Sequence, residues 1–436
     1  MPPAAIAGTH RPIENGMNHG FGNTRIPIYA AAVAAIVAYV FIWTWFKPIV
    51  FSTTKSDFSC FYRAGRMVIA GDGAKIYDLE AQLAYDQRLG TTFVDGQGQQ
   101  FSLPFVFPPY TLALFAPLSC LPYRAAELVW YVANVGMLLA LPFLLPRRVG
   151  SSDKAIAAGL LAPVLFIPAV LALMQGQTSI LLLLLFAMAF ATLAEGQEIA
   201  AGFILAFAML KPQLMLTVLL ALVIWRRWRT LAAMFWTGIA LLGLSAAIVG
   251  WRSTVDYPRA LREFNHLSGA LGGEHPESMP NLRGTIHILL PRWPEAAVIG
   301  ITVALSILLL TILAVLLRQS PALSRSSYSL VVVTACLLSY HAYLHDDALL
   351  LLPIILTIDE LQCRRWTITC TVLAAALGTL YVLPLLPTSL SATAIQMFVA
   401  MTMLATVLAL EMQNAGRESV QEARQQVFAA AVFTGH

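Results

Sequence analysis

A chain of 436 residues, 58% hydrophobic and only 11% charged, with a mean hydropathy of +0.72, is built for lipid. Soluble domains carry about a quarter charged residues, which excludes a soluble globular enzyme. The net charge of +4 is small and its basic residues fall between apolar runs, so they read as topology signals and not as a nucleic-acid surface.

Residues 1–25 are polar and contain Gly and Pro, the composition of a disordered tail, placed here in the cytoplasm. The apolar run from about 26 to 46 is longer than a signal-peptide core of ~7–15 residues and no A-x-A site follows, so it reads as a retained first helix. A long polar loop, Lys47 to Leu103, comes next. Phe105–Leu121 is apolar again but is interrupted by Pro108, Pro109 and Pro117. Further apolar runs lie near 125–145, 155–173, 178–194, 199–210, 213–225, 230–249, 297–317, 328–340, 348–362, 366–384 and 391–411. Several are shorter than the ~20 residues of a full span.

Positive charge orders these runs. Arg147-Arg148, Arg226-Arg227-Trp228-Arg229, Arg318 with Arg325, and Arg364-Arg365 all belong in the cytoplasm. They fall there together if Phe105–Leu121 stays on the outer face. The expectation is then an all-α polytopic membrane protein of about twelve crossings with both termini cytoplasmic. Its membrane domain covers 26–412, its outer loops about 47–124 and 250–296, and residues 413–436 form a cytoplasmic tail. The first outer loop is expected to be helical.

On that sidedness the polar residues of several segments share the outer face. Asp57 follows the first span, with Phe58, Phe61 and Tyr62 at helical spacing and Arg63 and Arg66 beyond. It is either a general base or the cap of a short helix. Lys211 sits with Pro212 between two short apolar stretches, either to meet an anionic headgroup or to snorkel from a kinked helix. His341 and His345 are spaced i, i+4 and are followed by Asp346 and Asp347. That spacing suits a divalent metal, but no His-Glu-x-x-His pattern is present, so no metal is assigned. Gln175-Gly176-Gln177 is a polar turn, and Asn281-Leu282-Arg283-Gly284 is the notable piece of the second outer loop. The five cysteines, Cys60, Cys120, Cys336, Cys363 and Cys370, show neither C-x-x-C nor metal-ligand spacing.

In order along the chain these pieces are Asp57-Phe58-Ser59-Cys60-Phe61-Tyr62-Arg63-Ala64, Ile76-Tyr77-Asp78, Phe107-Pro108-Pro109-Tyr110, Phe115-Ala116-Pro117-Leu118, Trp130 with Asn134, Gly176-Gln177, Ala201-Gly202-Phe203 with Leu210-Lys211-Pro212, the Arg-Arg-Trp-Arg close, Asn281-Leu282-Arg283-Gly284 and the His/Asp cluster. Together, over roughly residues 50–360, they resemble glycosyltransferase family 87, whose members have the membrane-embedded GT-C fold. The resemblance implies an inverting hexosyltransferase that moves a sugar, mannose being the family's best-known case, from a polyprenyl phosphate to a lipid or glycan acceptor. It implies Asp57 as general base, and Arg63, Lys211, His341, His345, Asp346, Gln177 and Asn281 as donor-phosphate or substrate ligands, with no cofactor. In the family a tryptophan usually precedes the acidic residue and histidines; Leu344-His345-Asp346-Asp347 departs from that order, so either histidine can hold the role. The expected place is the inner (plasma) membrane, with the site facing outward. The competing readings are a transporter or flippase of a lipid-linked or anionic substrate, and an oligosaccharide polymerase or ligase.

Overall fold

A computed structural model describes residues 25–50, 56–94, 98, 100–145, 153–265, 275–320, 322–363, 368–386 and 389–433. The expected tail 1–25 lies, apart from Arg25, outside the described residues, as do Arg147, Arg148, Arg364 and Arg365. The chain is almost entirely α-helical. Among the described residues its β structure is one antiparallel pairing, β1 (Phe93–Val94) with β2 (Gln100–Phe101).

Helix α1 (Ile26–Phe41) has Pro27 in its first turn, where a missing N–H costs no hydrogen bond, and runs on through a π-helical turn, Ile42–Phe46, to Val50. It buries Ala31, Ala35 and Tyr39, four residues apart, while Tyr29, Val33, Val37 and Val40 face outward. A long apolar stripe left outside the protein core is stable only against lipid.

The segment expected to form the first outer loop is helical, as its pattern suggests. It holds α2 (Phe58–Ile69), α3 (Leu79–Leu89), the β pairing, and α4 (Leu112–Leu118). Asp78 caps α3 by accepting from the N–H groups of Glu80 and Ala81, and Gly90, at φ 64°, closes it. Helix α4 follows a short turn at Pro109–Thr111 and is too short to cross a membrane by itself. It lies on α2, with the Phe61 and Phe115 rings stacked 4.4 Å apart. This outer layer has its own core of Phe58, Phe61, Met67, Phe105, Phe115 and Trp130.

The membrane helices follow. They are α5 (Tyr123–Leu144), α6 (Asp153–Leu165), α7 (Ile167–Gln175), α8 (Ser179–Ala194), α9 (Glu198–Ala208), α10 (Leu216–Ile224) and α11 (Trp228–Val249). A surface helix, α12 (Trp251–Asn265), and a short α13 (Leu282–Leu289) belong to the segment expected to form the second outer loop. The chain ends with α14 (Glu295–Gln319), α15 (Arg325–Leu338), α16 (Leu351–Cys363), α17 (Ile368–Val382) and α18 (Leu390–Phe433). The region separated as a tail from residue 413 continues the last helix as far as Phe433.

The expected twelve crossings are not matched by twelve full-length helices. Among the described residues five spans are long and apolar enough, Ile26–Ile49, Tyr123–Leu144, Trp228–Val249, Glu295–Gln319 and Leu390–Gln413; α6 and α7, bent by 63°, make a sixth if counted as one broken span. Helix α8 has 16 residues, about 24 Å at 1.5 Å per residue, against a hydrocarbon core of about 30 Å. The physical reason is burial. In α15 every residue from Ser327 to Leu337 is buried, and a helix that is apolar all round can be interior and not lipid-facing. Hydropathy counts both kinds alike.

Candidate active site

The polar breaks between membrane helices meet the long loop after α1 around a cavity of about 890 Å³. Phe107, Met137 and Leu181 pack against both the membrane core and the outer-loop core, so the cavity sits where two packed layers join. Apolar side chains make up much of its wall, among them Val106, Phe107, Leu210, Leu261 and Phe264.

Asp57 stands at the N-cap position of α2, yet its side chain makes no capping bond. Its Oδ2 accepts instead from Gln177 Nε2 at 2.7 Å, and part of its surface stays open to the cavity. The residue before it is tied down as well. Ser56 Oγ donates to Glu127, which also pairs with Lys47 at 2.8 Å, joining the outer end of α1 to α5. Burial raises the Asp57 carboxyl above the ordinary carboxylate range, and Asp346 adds to this; the Gln177 bond and Lys211 pull it down. A carboxylate so placed is a stronger base than one in water.

Gln177 is presented by a sharp turn at the end of α7. Gly176 sits at φ 68°, in the left-handed region, and a Cβ there would lie 2.8 Å from Phe58 Cβ. Its carbonyl accepts from Trp130 Nε1 at 2.8 Å.

Lys211 lies in the break between α9 and α10, 5% exposed, where Pro212 prevents continuation of the helix. Its ammonium pairs with Asp346 Oδ1 and donates to Ser179 Oγ at 3.2 Å. Ser179 Oγ in turn donates to Asp346 at 2.7 Å, and the Tyr343 N–H donates to its other oxygen at 3.2 Å. His345 Nε2 is 3.6 Å from Asp346, but burial lowers its imidazole to about 4, and Lys211 and His341 add to that against Asp346. His345 is therefore neutral near pH 7, and the cation of this group is Lys211. His341 packs edge-on against Phe264 and Tyr343, 5.4 and 5.0 Å between centroids.

Of the residues singled out in the sequence, Asp57, Gln177, Lys211, His341, His345 and Asp346 line the one cavity. Arg63 does not. It is fully buried in the outer layer, paired with Asp86 and donating to Gln82 at 2.6 Å and to the Leu103 carbonyl at 2.7 Å. Its partners lie on α3 and just after β2, so the fold uses its charge to hold α2, α3 and the β2 strand's exit together. Asn281 also stands behind the wall. It caps α13 by accepting from Gly284 N at 2.8 Å and donates to the Ala342 carbonyl at 3.4 Å, supporting the loop that carries His341. Asp347 is buried away from the cavity, its oxygens without a hydrogen-bond partner among the described residues.

Sequence reasoning passed over Ser179, Trp130's bond to the Gly176 carbonyl, and Glu127. Ser179 follows Gln177-Thr178, so an unusually long polar run between apolar stretches was the available signal. Among the described residues no three His, Cys, Asp or Glu side chains gather as a metal site, and Cys60 and Cys120 are free thiols.

No curated protein and no solved structure matches this chain. The family model for glycosyltransferase family 87 matches residues 105–339, more than half the chain. That stretch runs from the outer loop through the membrane helices and carries Gln177 and Lys211; Asp57 and the His341–Asp346 segment flank it. A match of this extent, on apolar helices whose breaks supply the polar wall of the cavity, makes the chain a membrane glycosyltransferase that belongs to glycosyltransferase family 87.

Proposed function

We propose that the protein transfers a hexose, mannose in the first instance, from a polyprenyl-phosphate sugar to a lipid or glycan acceptor, with inversion at the anomeric carbon. The observation that carries the reading is the meeting of Asp57 with the buried Lys211–Asp346 pair at one largely apolar cavity. A lipid-borne donor suits such a wall, since its chain is apolar and only its phosphate and sugar need polar partners.

In this reaction Asp57 takes the proton of the acceptor hydroxyl as the acceptor oxygen forms its bond to the anomeric carbon. The bond from that carbon to the phosphate oxygen breaks, and its electron pair leaves on the polyprenyl phosphate. Lys211 is the group suited to meet the charge that develops there, as a fixed donor in a site sheltered from water. For this it must share or exchange Asp346, so Asp346 and Ser179 hold the ammonium in place between turnovers. His341 and His345 contribute as ring donors or packing groups, His345 in its neutral form. The proposed setting is the GT-C fold in the inner (plasma) membrane, site outward and termini cytoplasmic, which the positive clusters between apolar runs support.

The test is transfer of label from polyprenyl-phosphate hexoses by membranes carrying the protein. Asp57→Asn, at equal expression, is expected to lower kcat/KM by about 10²–10⁴-fold, the usual contribution of a general base. In the native protein kcat/KM falls as the pH drops through the raised Asp57 value, because only the ionised carboxylate accepts the proton; the acid limb thus lies above the ordinary carboxylate range. Undiminished transfer by Asp57→Asn would remove Asp57 from this role.

A further inference from the structure

We propose that Gln177 is the positioning residue of the base: its amide holds one oxygen of Asp57 so that the other meets the acceptor hydroxyl, and it leaves the donor phosphate to Lys211. The inference rests on the transfer reaction proposed above, with Asp57 as its base.

The geometry begins with the backbone. Gly176 turns the chain at φ 68° and lies flat on Phe58, the residue next to Asp57, so the turn and the start of α2 cannot shift independently. Trp130 holds the same turn from α5 through the Gly176 carbonyl, and its ring packs edge-on against Phe115 at 5.0 Å. Phe115 in turn stacks on Phe61 of α2. The Asp57 and Gln177 backbones are thus fixed to each other by packing on both sides, and the 2.7 Å bond between their side chains is built before any substrate arrives.

Chemistry sets the direction of the amide. An ionised carboxylate only accepts, so Nε2 faces Asp57 and Oε1 faces away. That Oε1 is buried with no hydrogen-bond partner among the described residues, a cost the turn bears with no return in folding. Asp57 Oδ1 has no protein partner among the described residues either, which leaves it for a hydroxyl. The charged and titratable groups acting on Asp57 are Lys211 and Asp346, paired with each other, with Cys60 one turn along α2; His341, His345, His275 and Glu277 line the same cavity. Among the described residues only Gln177 hydrogen-bonds to the carboxylate, so replacing it acts on the base directly.

The experiment compares wild type, Gln177→Leu and Gln177→Glu in membranes that hold the native acceptors, with labelled polyprenyl-phosphate mannose, glucose and galactose as donors. Size-exclusion elution of the purified proteins checks folding, and Gln177→Glu keeps the side-chain volume. Gln177→Leu is expected to lower kcat tenfold or more, with donor KM within twofold. Its acid limb moves to higher pH, because the bond favouring the ionised carboxylate is gone. Gln177→Glu moves the limb further, since a second carboxylate opposes ionisation of the first. An unmoved limb, a loss carried by donor KM, or complete inactivity of both variants at every pH overturns the proposal. Transfer by wild type that is lost in Asp57→Asn, alongside unmoved Gln177 profiles, would sink this assignment alone. Absence of wild-type transfer from all three donors would sink the reaction itself.

Discussion

Lys211 and Asp346, 5% and 2% exposed, are two charges removed from water in the interior of a membrane protein. Each loses hydration worth several kcal/mol, and their mutual attraction offsets this only with good geometry and further hydrogen bonds, here from Ser179 and the Tyr343 N–H. Lys211→Met therefore leaves a buried carboxylate without its counter-ion, at a cost of about 3–5 kcal/mol. A clear fall in thermal midpoint in detergent is expected, together with loss of transfer. The double variant Lys211→Met/Asp346→Asn regains most of the midpoint while remaining inactive; a double variant as unstable as the single would show that the pairing is not what holds these residues. Residue chemistry was legible in the sequence for Asp57, Lys211 and His345, because charge inside an apolar chain is costly and so stands out. Arg63 looked the same by that criterion and serves the outer layer, since a one-dimensional pattern does not show that Asp86 and Gln82 lie within its reach.

The elements hold the site through close backbone approach. At Gly202 on α9 a Cβ would lie 2.3 Å from the Thr230 carbonyl and 2.7 Å from Ala233 Cβ on α11, so these helices touch at a point where only glycine fits. Small residues at such crossings let membrane helices pack without a hydrophobic driving force between them. Gly202→Ala must push α9 and α11 apart, and overpacking of this kind costs about 1–3 kcal/mol. Because Lys211 follows α9 directly, the same change is expected to lower transfer more than it lowers the thermal midpoint would suggest for a remote site. Gly136→Ala, with open space around its Cβ, is the control that leaves both unchanged. Activity and midpoint unaffected by Gly202→Ala would mean that the crossing does not set the position of the lysine break. Helix existence was readable from apolar runs, and the break at Lys211-Pro212 from the proline. Helix length against the bilayer was not, because α8 and α15 owe their apolarity to burial among other helices.

For the whole molecule the decisive matter is sidedness. Cys120 is an exposed free thiol in the loop proposed to face outward, whereas Cys60, Cys336 and Cys370 are buried. An impermeant maleimide added to intact cells is expected to label the protein, and Cys120→Ser to abolish most of that labelling. Labelling that needs a permeabilised membrane would put the cavity on the cytoplasmic side and end the case for a polyprenyl-borne donor used outside. Composition alone decided that the chain is a membrane protein, since so few charges among so many apolar residues permit no other solvent. The order of its polar breaks was enough to suggest the family. Only the tertiary structure decided which of those breaks share a cavity and which oxygen of Asp57 is taken by Gln177. The reason is distance: residues 57, 177, 211 and 346 are separated by long stretches of interchangeable apolar sequence, and their meeting depends on side-chain packing that no local pattern encodes.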